Sequence, residues 1–354
     1  MKADTEEGQP LKGNEPSSPV PAATSASSTL KYMALLVLVL QNALLALVMR
    51  YSQVVPTPTR YLATTAVFTG ELLKLAASFF LVVVESGSVA GALSTLKTYT
   101  VDQPVEFLSV GVPSLLYVLQ NNLAFLATAN LEPAPYQLLY QLKIFTTAVL
   151  SVFLLGKVMT AKHWQALLVL FVGVGCVQLS TLEDKGDGAA AAAKGDPLLG
   201  LFAVLVAVTS SGLAGVWFEK ILKQKPGSVW VRNVQMSLIS LVIAGLSVYA
   251  KDWPQVTRHG FFSGYSAVVW AVIVLQAGGG MLVAVVVKYA DNILKGFATS
   301  LSTVLSTVVS VSLFGFVVSP LFLAGAVLVL GSAFLYNSAD GAQKAAAGGK
   351  AGQV

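Results

Sequence analysis

Hydrophobic positions in this chain do not alternate with polar ones. They run in blocks of about twenty, and the charges collect between the blocks. A stretch of about 20 apolar residues is what a helix needs to cross a hydrocarbon core about 30 Å thick. Ten such spans are predicted, at 31–52, 61–84, 108–129, 134–155, 161–181, 197–220, 230–250, 266–290, 293–314 and 320–336. The boundary between the eighth and ninth is the least marked. Residues 1–30 are polar and rich in Ser, Pro and Ala, without a basic start and apolar follow-on, so they read as a disordered N-terminus and not as a cleaved signal. The tail at 337–354 has no means of forming a core and also reads as disordered.

One internal segment, 183–196, is Ala-, Gly- and Asp-rich and divides the spans five and five, giving halves at 31–182 and 197–336. Because five is odd, a duplicated second half is inverted relative to the first. A faint repeat accompanies this division: Val152, Leu154, Gly156 and Val158 recur as Val311, Leu313, Gly315 and Val317. The predicted fold is therefore an all-α polytopic membrane protein with ten transmembrane helices in two inverted five-helix repeats. With the N-terminus in the cytosol, twelve Lys and Arg fall in cytosolic segments against six on the other side, which places both termini in the cytosol and 183–196 in the lumen.

Composition narrows the class further. Of 354 residues, 55% are hydrophobic and only 11% charged, with a mean hydropathy of +0.73. The net charge of +5 is thus a matter of loop topology and not of nucleic-acid binding. Cys176 is the single cysteine, which excludes an intramolecular disulfide and a thiolate zinc site. No Walker loop, zinc-binding histidine pair or GxSxG elbow occurs, so neither ATP-driven pumping nor hydrolysis has its machinery. No cofactor and no catalytic residue is expected. A solute carrier remains.

The polar groups inside the spans carry the candidate chemistry. Lys143 lies within the apolar run Leu138 to Leu155, where a cation costs at least about 2.5 to 3.5 kcal/mol and marks a functional site by default. It sits about 14 Å along the helix from Ala134, too deep for easy snorkelling. Tyr136 and Tyr140 share its stripe at i, i+4 and i+7, with Gln137 and Gln141 beside them. Aromatic faces suit a planar base, and an ammonium suits a phosphate. Helix gluing and an interfacial belt are the plainer explanations of the glutamines and tyrosines.

Gln120, Asn121 and Asn122 are three consecutive amides in the third span, able to read a uracil edge or a sugar hydroxyl. Lys288, Asp291, Asn292 and Lys295 fall at i, i+3, i+4 and i+7, with Lys288 the more suspect cation and Lys295 equally explained as a solvated loop-side group. The stripe of Thr299, Thr303, Ser306 and Ser310 reads as close packing, with cavity lining the minority reading. Ser210, Ser211, Gly212, Ala214 and Gly215 read as packing too. Glu71 and Lys74, three apart, are placed to pair. Gly278, Gly279 and Gly280 mark close helix approach or a hinge.

Several long motifs then carry a resemblance. VPSLLYVLQNNLAFLATANL (112–131), YQLLYQLKIFTTAVLSVFLL (136–155), SSGLAGVWFEKILK (210–223), SVWVRNVQ (228–235) and VVVKYADNILKGFATSLSTVLST (285–307) resemble the Golgi nucleotide-sugar transporters, in the branch of UDP-galactose, UDP-N-acetylglucosamine and CMP-sialic acid carriers. The resemblance spans about residues 31–336. It implies the ten-helix drug/metabolite transporter fold, a Golgi membrane location, and exchange of cytosolic nucleotide sugar for lumenal nucleoside monophosphate. It also implies that Lys143 and Lys288 meet phosphate and nucleotide, with Gln120, Asn121, Tyr136, Gly215 and Asn233 at further binding positions.

Ser237 stands where sialic acid carriers have Tyr, which favours a UDP-hexose, while Leu138, Leu139 and Trp217 depart from the family pattern. The expected activity is antiport of a UDP-hexose, foremost UDP-galactose, against UMP. UDP-N-acetylglucosamine and CMP-sialic acid are the alternative cargoes. The expected partners are UDP-sugar, UMP and the lipid bilayer, with a second copy or glycosyltransferases as protein partners. A membrane scaffold for glycosyltransferases is the non-transport alternative, and a lipid-linked glycosyltransferase would have to rely on the acidic linker residues Glu183, Asp184 and Asp187.

Overall fold

The computed structural model describes residues 25–54, 61–131, 133–183, 196–225, 227–314 and 318–351. Along them run α1 (Ser25–Val54), α2 (Ala63–Ser86), α3 (Val89–Thr100), α4 (Pro104–Asn130), α5 (Pro133–Tyr140), α6 (Lys143–Leu155), α7 (Ala161–Glu183), α8 (Pro197–Gln224), α9 (Val229–Ser247), a π turn (Val248–Asp252), α10 (Trp253–His259), α11 (Ala267–Tyr289), α12 (Asn292–Phe314) and α13 (Pro320–Ala351). Among the described residues nine helical segments are long and apolar enough to cross a membrane. The tenth span expected from the sequence corresponds to α4, a 27-residue helix whose described apolar stretch is Pro104–Gln120. The protein is an all-α polytopic membrane protein.

Three expectations change. The helix of the first span starts at Ser25, inside the stretch read as disordered. The last helix continues past residue 336 to Ala351, because its Ala-rich continuation has high helix propensity even without a core to pack on. The fourth span, expected as one helix, is broken at Gln141–Leu142 into α5 and α6. There the Gln141, Leu142, Ile144 and Phe145 N–H groups donate three residues back, to Leu138, Leu139, Gln141 and Leu142. Such tighter bonds keep backbone groups satisfied where lipid offers no partner. Residues 184–195 of the segment 183–196 and residues 1–24 lie outside the described residues, as do Gly315 and Val317 of the sequence repeat.

Helix packing has its own symmetry. α7 packs on α13 and α2 on α9; α4 with α8 has its counterpart in α1 with α11, α6 with α8 in α1 with α12, and α2 with α11 in α4 with α9. Exchanging α1, α2, α4, α5–α6 and α7 for α8, α9, α11, α12 and α13 maps these pairings onto one another.

The ends of α6, α8 and α11 and the starts of α4, α7, α9 and α12 share one face, here the basic face, which holds Lys157, Lys162, Lys223, Lys225 and Arg232. Buried Arg232 donates to Glu106 at 2.9 Å and to Gln235 at 3.0 Å. On the opposite face the links are neutral or hydroxyl-based: Thr64 donates to Asp252 at 2.6 Å, and the Tyr265 hydroxyl to Thr65 at 3.2 Å. Aromatic rings gather there, with Phe262 stacked on Trp270 at 6.1 Å and edge-on to Tyr265 at 5.3 Å, as expected of a belt at a membrane–water interface.

Within the bundle, Glu71 and Lys74 pair at 2.7 Å, and Gly280 receives the Lys74 stem while Gly279 receives the Gln41 amide. These glycines serve close approach.

The α7–α13 contact is the tightest backbone approach. A methyl group on Gly325 would lie 2.8 Å from the Gly173 carbonyl oxygen and 2.8 Å from the Val177 nitrogen. Neither atom belongs to a flexible side-chain end, so the helices must separate. Gly325→Ala should cost about 1 to 3 kcal/mol and lower the thermal midpoint of the detergent-solubilised protein. Gly331→Ala, with open space around it in the same helix, should leave the midpoint unchanged or raise it, because alanine favours the helix. Equal midpoints for the two variants would refute the close contact.

Candidate substrate cavity

The break between α5 and α6 sets Lys143 at the first residue of α6 and turns it into a cavity of about 320 Å³. α4, α5, α6, α7, α8 and α12 contribute its walls: Tyr117, Tyr140, Gln178, Ser211 and Lys295 are the polar groups on five of them that matter most. A volume of this size is at the small end of the roughly 300–1,000 Å³ common for ligand sites.

Lys143 Nζ stands 4.7 Å from the centroid of the Tyr140 ring. The Tyr140 hydroxyl accepts from Gln120 Nε2 at 2.8 Å and is hydrogen-bonded to Ser211, while the Tyr136 ring packs against it at 5.7 Å between centroids. One aromatic ring is thereby fixed by three neighbours with the cation over its face, an arrangement that orients the ammonium but does not neutralise it.

Opposite, α12 brings Asn292, Lys295, Thr299 and Thr303 into the wall. Among the described residues no ion pair engages Lys143 or Lys295. They are close enough to repel one another, and Glu219 lies near enough to Lys295 to offset part of that.

The start of α12 is held firmly. Asp291 caps it, accepting from Leu294 N–H at 2.7 Å, and pairs with Lys157 at 2.7 Å across the two halves. Glu219 pairs with Lys223 at 2.7 Å and accepts the Asn292 N–H at 2.9 Å, and Lys223 donates to the Ala290 carbonyl at 2.6 Å. These contacts tie the segments that follow α6 and α11 and the end of α8 together beside Asn292.

The residues singled out from sequence divide into groups. Lys143 and Tyr140 line the cavity, and Gln120 and Tyr136 hold Tyr140. Gly215 acts one layer back: a side chain there would run into the Asn292 amide, which lines the cavity. Asn233 and Ser237 are buried on α9 outside the lining, with Asn233 donating to the Val229 carbonyl at 3.2 Å. Lys288 is half-buried at the end of α11, 5.9 Å from the Tyr289 ring, and is not among the lining residues. The side chain of Asn121 lies outside the described residues.

Trp217 donates its indole N–H to the Ser109 carbonyl at 3.0 Å and is likewise off the cavity. Ser211, Thr299 and Thr303, which the sequence assigns mainly to packing, and Lys295, which it explains equally as a loop-side group, all line the cavity, together with Asn292. The i+7 spacing of Lys288 and Lys295 held the signal, but the turn at Ala290–Asp291 breaks the shared helix and separates the two.

The comparisons with known proteins bear on this arrangement. Residues 26–337 match the family model described as nucleotide-sugar transporter. The chain belongs to the nucleotide-sugar transporter family. Its members are carriers and not enzymes, and the family match covers every helix that lines the cavity. Among relatives, a Homo sapiens UDP-galactose translocator is 48% identical over 330 residues, covering 93% of this chain and 82% of its own. A Rattus norvegicus UDP-N-acetylglucosamine transporter is 45% identical over 314 residues, covering 88% and 96%. One solved crystal structure, at 19% identity, shares the fold with a TM-score of 0.62 over 88% of this chain and 97% of its own.

Asp291 makes this junction sensitive to acid. Burial works against its negative charge, but the Lys157 ammonium, the hydrogen bond to it and the Leu294 amide outweigh burial and hold its carboxyl below the ordinary value. That stabilisation is complete above about pH 3.9 and disappears as pH falls through the lower folded value. In thermal unfolding of solubilised protein, Asp291→Asn should lower the midpoint near neutral pH and flatten its decline on acidification. A decline as steep as the parent's would contradict the pairing.

Proposed function

We propose that this transporter is an antiporter that carries a UDP-hexose, foremost UDP-galactose, across the Golgi membrane in exchange for UMP. The observation that carries this reading is the pair of cations, Lys143 and Lys295, facing one cavity without a carboxylate partner among the described residues. Two such charges in a membrane interior call for an anionic visitor. A nucleotide phosphate supplies that charge, and the Tyr140 ring supplies a flat face for the base. Two cations are the wrong sign for a cation or drug exporter.

In this reading Lys143 and Lys295 hold the phosphates, Tyr140 meets the base, and Gln120 and Tyr136 keep its ring in place. Gly215 leaves room for Asn292. Lys288 adds positive potential near the basic face, which we assign to the cytosol together with both termini. Asn233 and Ser237 stay behind the wall in this conformation and reach the ligand only if α9 moves toward it. Asn121 remains a proposed amide contact. The two five-span halves act as inverted repeats that rock about the cavity and open it to each side in turn.

UDP-galactose is preferred because relatives named UDP-galactose translocators match at 47–48% identity across most of the chain. UDP-N-acetylglucosamine follows from relatives at 45%.

Vesicles reconstituted with the purified chain, preloaded with UMP and offered labelled UDP-galactose, UDP-N-acetylglucosamine or CMP-sialic acid, should show UMP-stimulated uptake that is fastest for UDP-galactose. Absence of stimulated uptake for all three would refute antiport, and preference for another sugar would move the assignment within the family. Lys143→Ala and Lys295→Ala should each weaken UMP binding about tenfold or more, as loss of a charge-assisted contact requires. Lys288→Ala should weaken it less. The reverse order would return the phosphate to Lys288.

A further inference from the structure

Glu219 is fully buried, and a buried carboxylate persists only where donors and cations satisfy it. Its Oε1 lies 2.7 Å from Lys223 Nζ, and its Oε2 accepts the Asn292 N–H at 2.9 Å. Lys223 in turn donates to the Ala290 carbonyl at 2.6 Å. One carboxylate thereby ties α8 to the turn between α11 and α12, and one helical turn farther along α12 stands Lys295 in the cavity wall. Lys295 is repelled by Lys143 and attracted by Glu219. The Asn292 Oδ1 beside this junction is buried without a hydrogen-bond partner, a polar atom left waiting at the cavity's end.

We propose that Glu219 is the carrier's resident counter-ion, standing in for the phosphate when the cavity is empty and competing with the incoming phosphate for Lys295. The inference rests on the nucleotide reading of the cavity and adds a residue that touches no ligand. Lys223 sets the strength of the competition, because its ammonium absorbs much of the carboxylate's field. Phosphate at Lys295 relieves Lys295 of its dependence on Glu219 and loosens the turn at Ala290–Asn292. Since that turn and the Lys157–Asp291 pair bind segments together at the basic face, an empty carrier holds that face together and a loaded one can open it. Exchange is then faster than one-way passage.

The competition gives changes of opposite sign, which a merely structural role does not. Glu219→Gln keeps an oxygen for the Asn292 N–H but removes the charge, and should tighten equilibrium UMP binding by the solubilised full-length protein about three- to tenfold. Lys223→Met bares the carboxylate and should weaken UMP binding by a similar factor. The double variant should return toward the parent. In vesicles, Glu219→Gln should also lower the ratio of UMP-stimulated to unstimulated uptake. Unchanged or weaker UMP binding in Glu219→Gln, or tighter binding in Lys223→Met, would overturn the counter-ion role while leaving the parent's nucleotide binding in place. Failure of the parent itself to bind UMP would overturn the nucleotide reading, and this inference with it.

Discussion

Two ammonium groups facing one cavity inside a bilayer, with no ion pair to either among the described residues, constrain much of the architecture around them. Desolvating a cation is costly, and placing a second beside it adds repulsion that low dielectric strengthens. The fold tolerates this because the cavity is polar at selected points: Tyr140 offers its face to Lys143, and Ser211, Gln178 and Thr299 furnish dipoles in the wall. Dipoles orient a cation without cancelling it. The site therefore keeps its attraction for an anion, which a buried salt bridge would have spent internally.

Placing those cations requires irregular backbone. α5 and α6 part at Gln141–Leu142, just before Lys143, and α11 and α12 part at Ala290–Asp291, just before Lys295. The first break satisfies itself with backbone bonds that reach three residues back, and the second is tied down by Asp291, Glu219 and Lys223. The α6 side is thus held by its own backbone at the break, and the α12 side by charge pairs and side-chain bonds. The asymmetry extends to the two faces of the bundle. Ion pairs join the halves at the basic face, with Lys157–Asp291 and Arg232–Glu106, whereas hydroxyl bonds and aromatic packing join them at the other. Rocking about the cavity would exchange a few strong, localised contacts for several weaker ones.

Much of this was legible in the sequence because bilayer thickness imposes a length rule with few exceptions. The apolar spans and the oddity of Lys143 follow from it, and the Glu71–Lys74 pair follows from spacing alone. The site was legible only in part. Lys143 and Tyr140 share one stripe of a single segment, so local periodicity places both. Lys295 was obscured because its distance from Lys288 suits one helix, while the backbone turns between them and sends only Lys295 inward. Asn233 and Ser237 carry no local signal of direction: on a helix buried on several sides, polarity alone does not say whether a group meets the cavity or a neighbouring helix. Gly215 was read as packing and does pack, but its neighbour is the Asn292 amide, a long-range contact that no spacing discloses.

The central claim is that a nucleotide's phosphate lies between Lys143 and Lys295. An experimentally determined structure of the carrier with UMP bound tests it most directly. Phosphate oxygens are expected within about 4 Å of both ammonium groups, with the base against Tyr140. UMP seated beside Lys288 or elsewhere in the bundle, with the cavity at Lys143 and Lys295 left without it, would contradict the account.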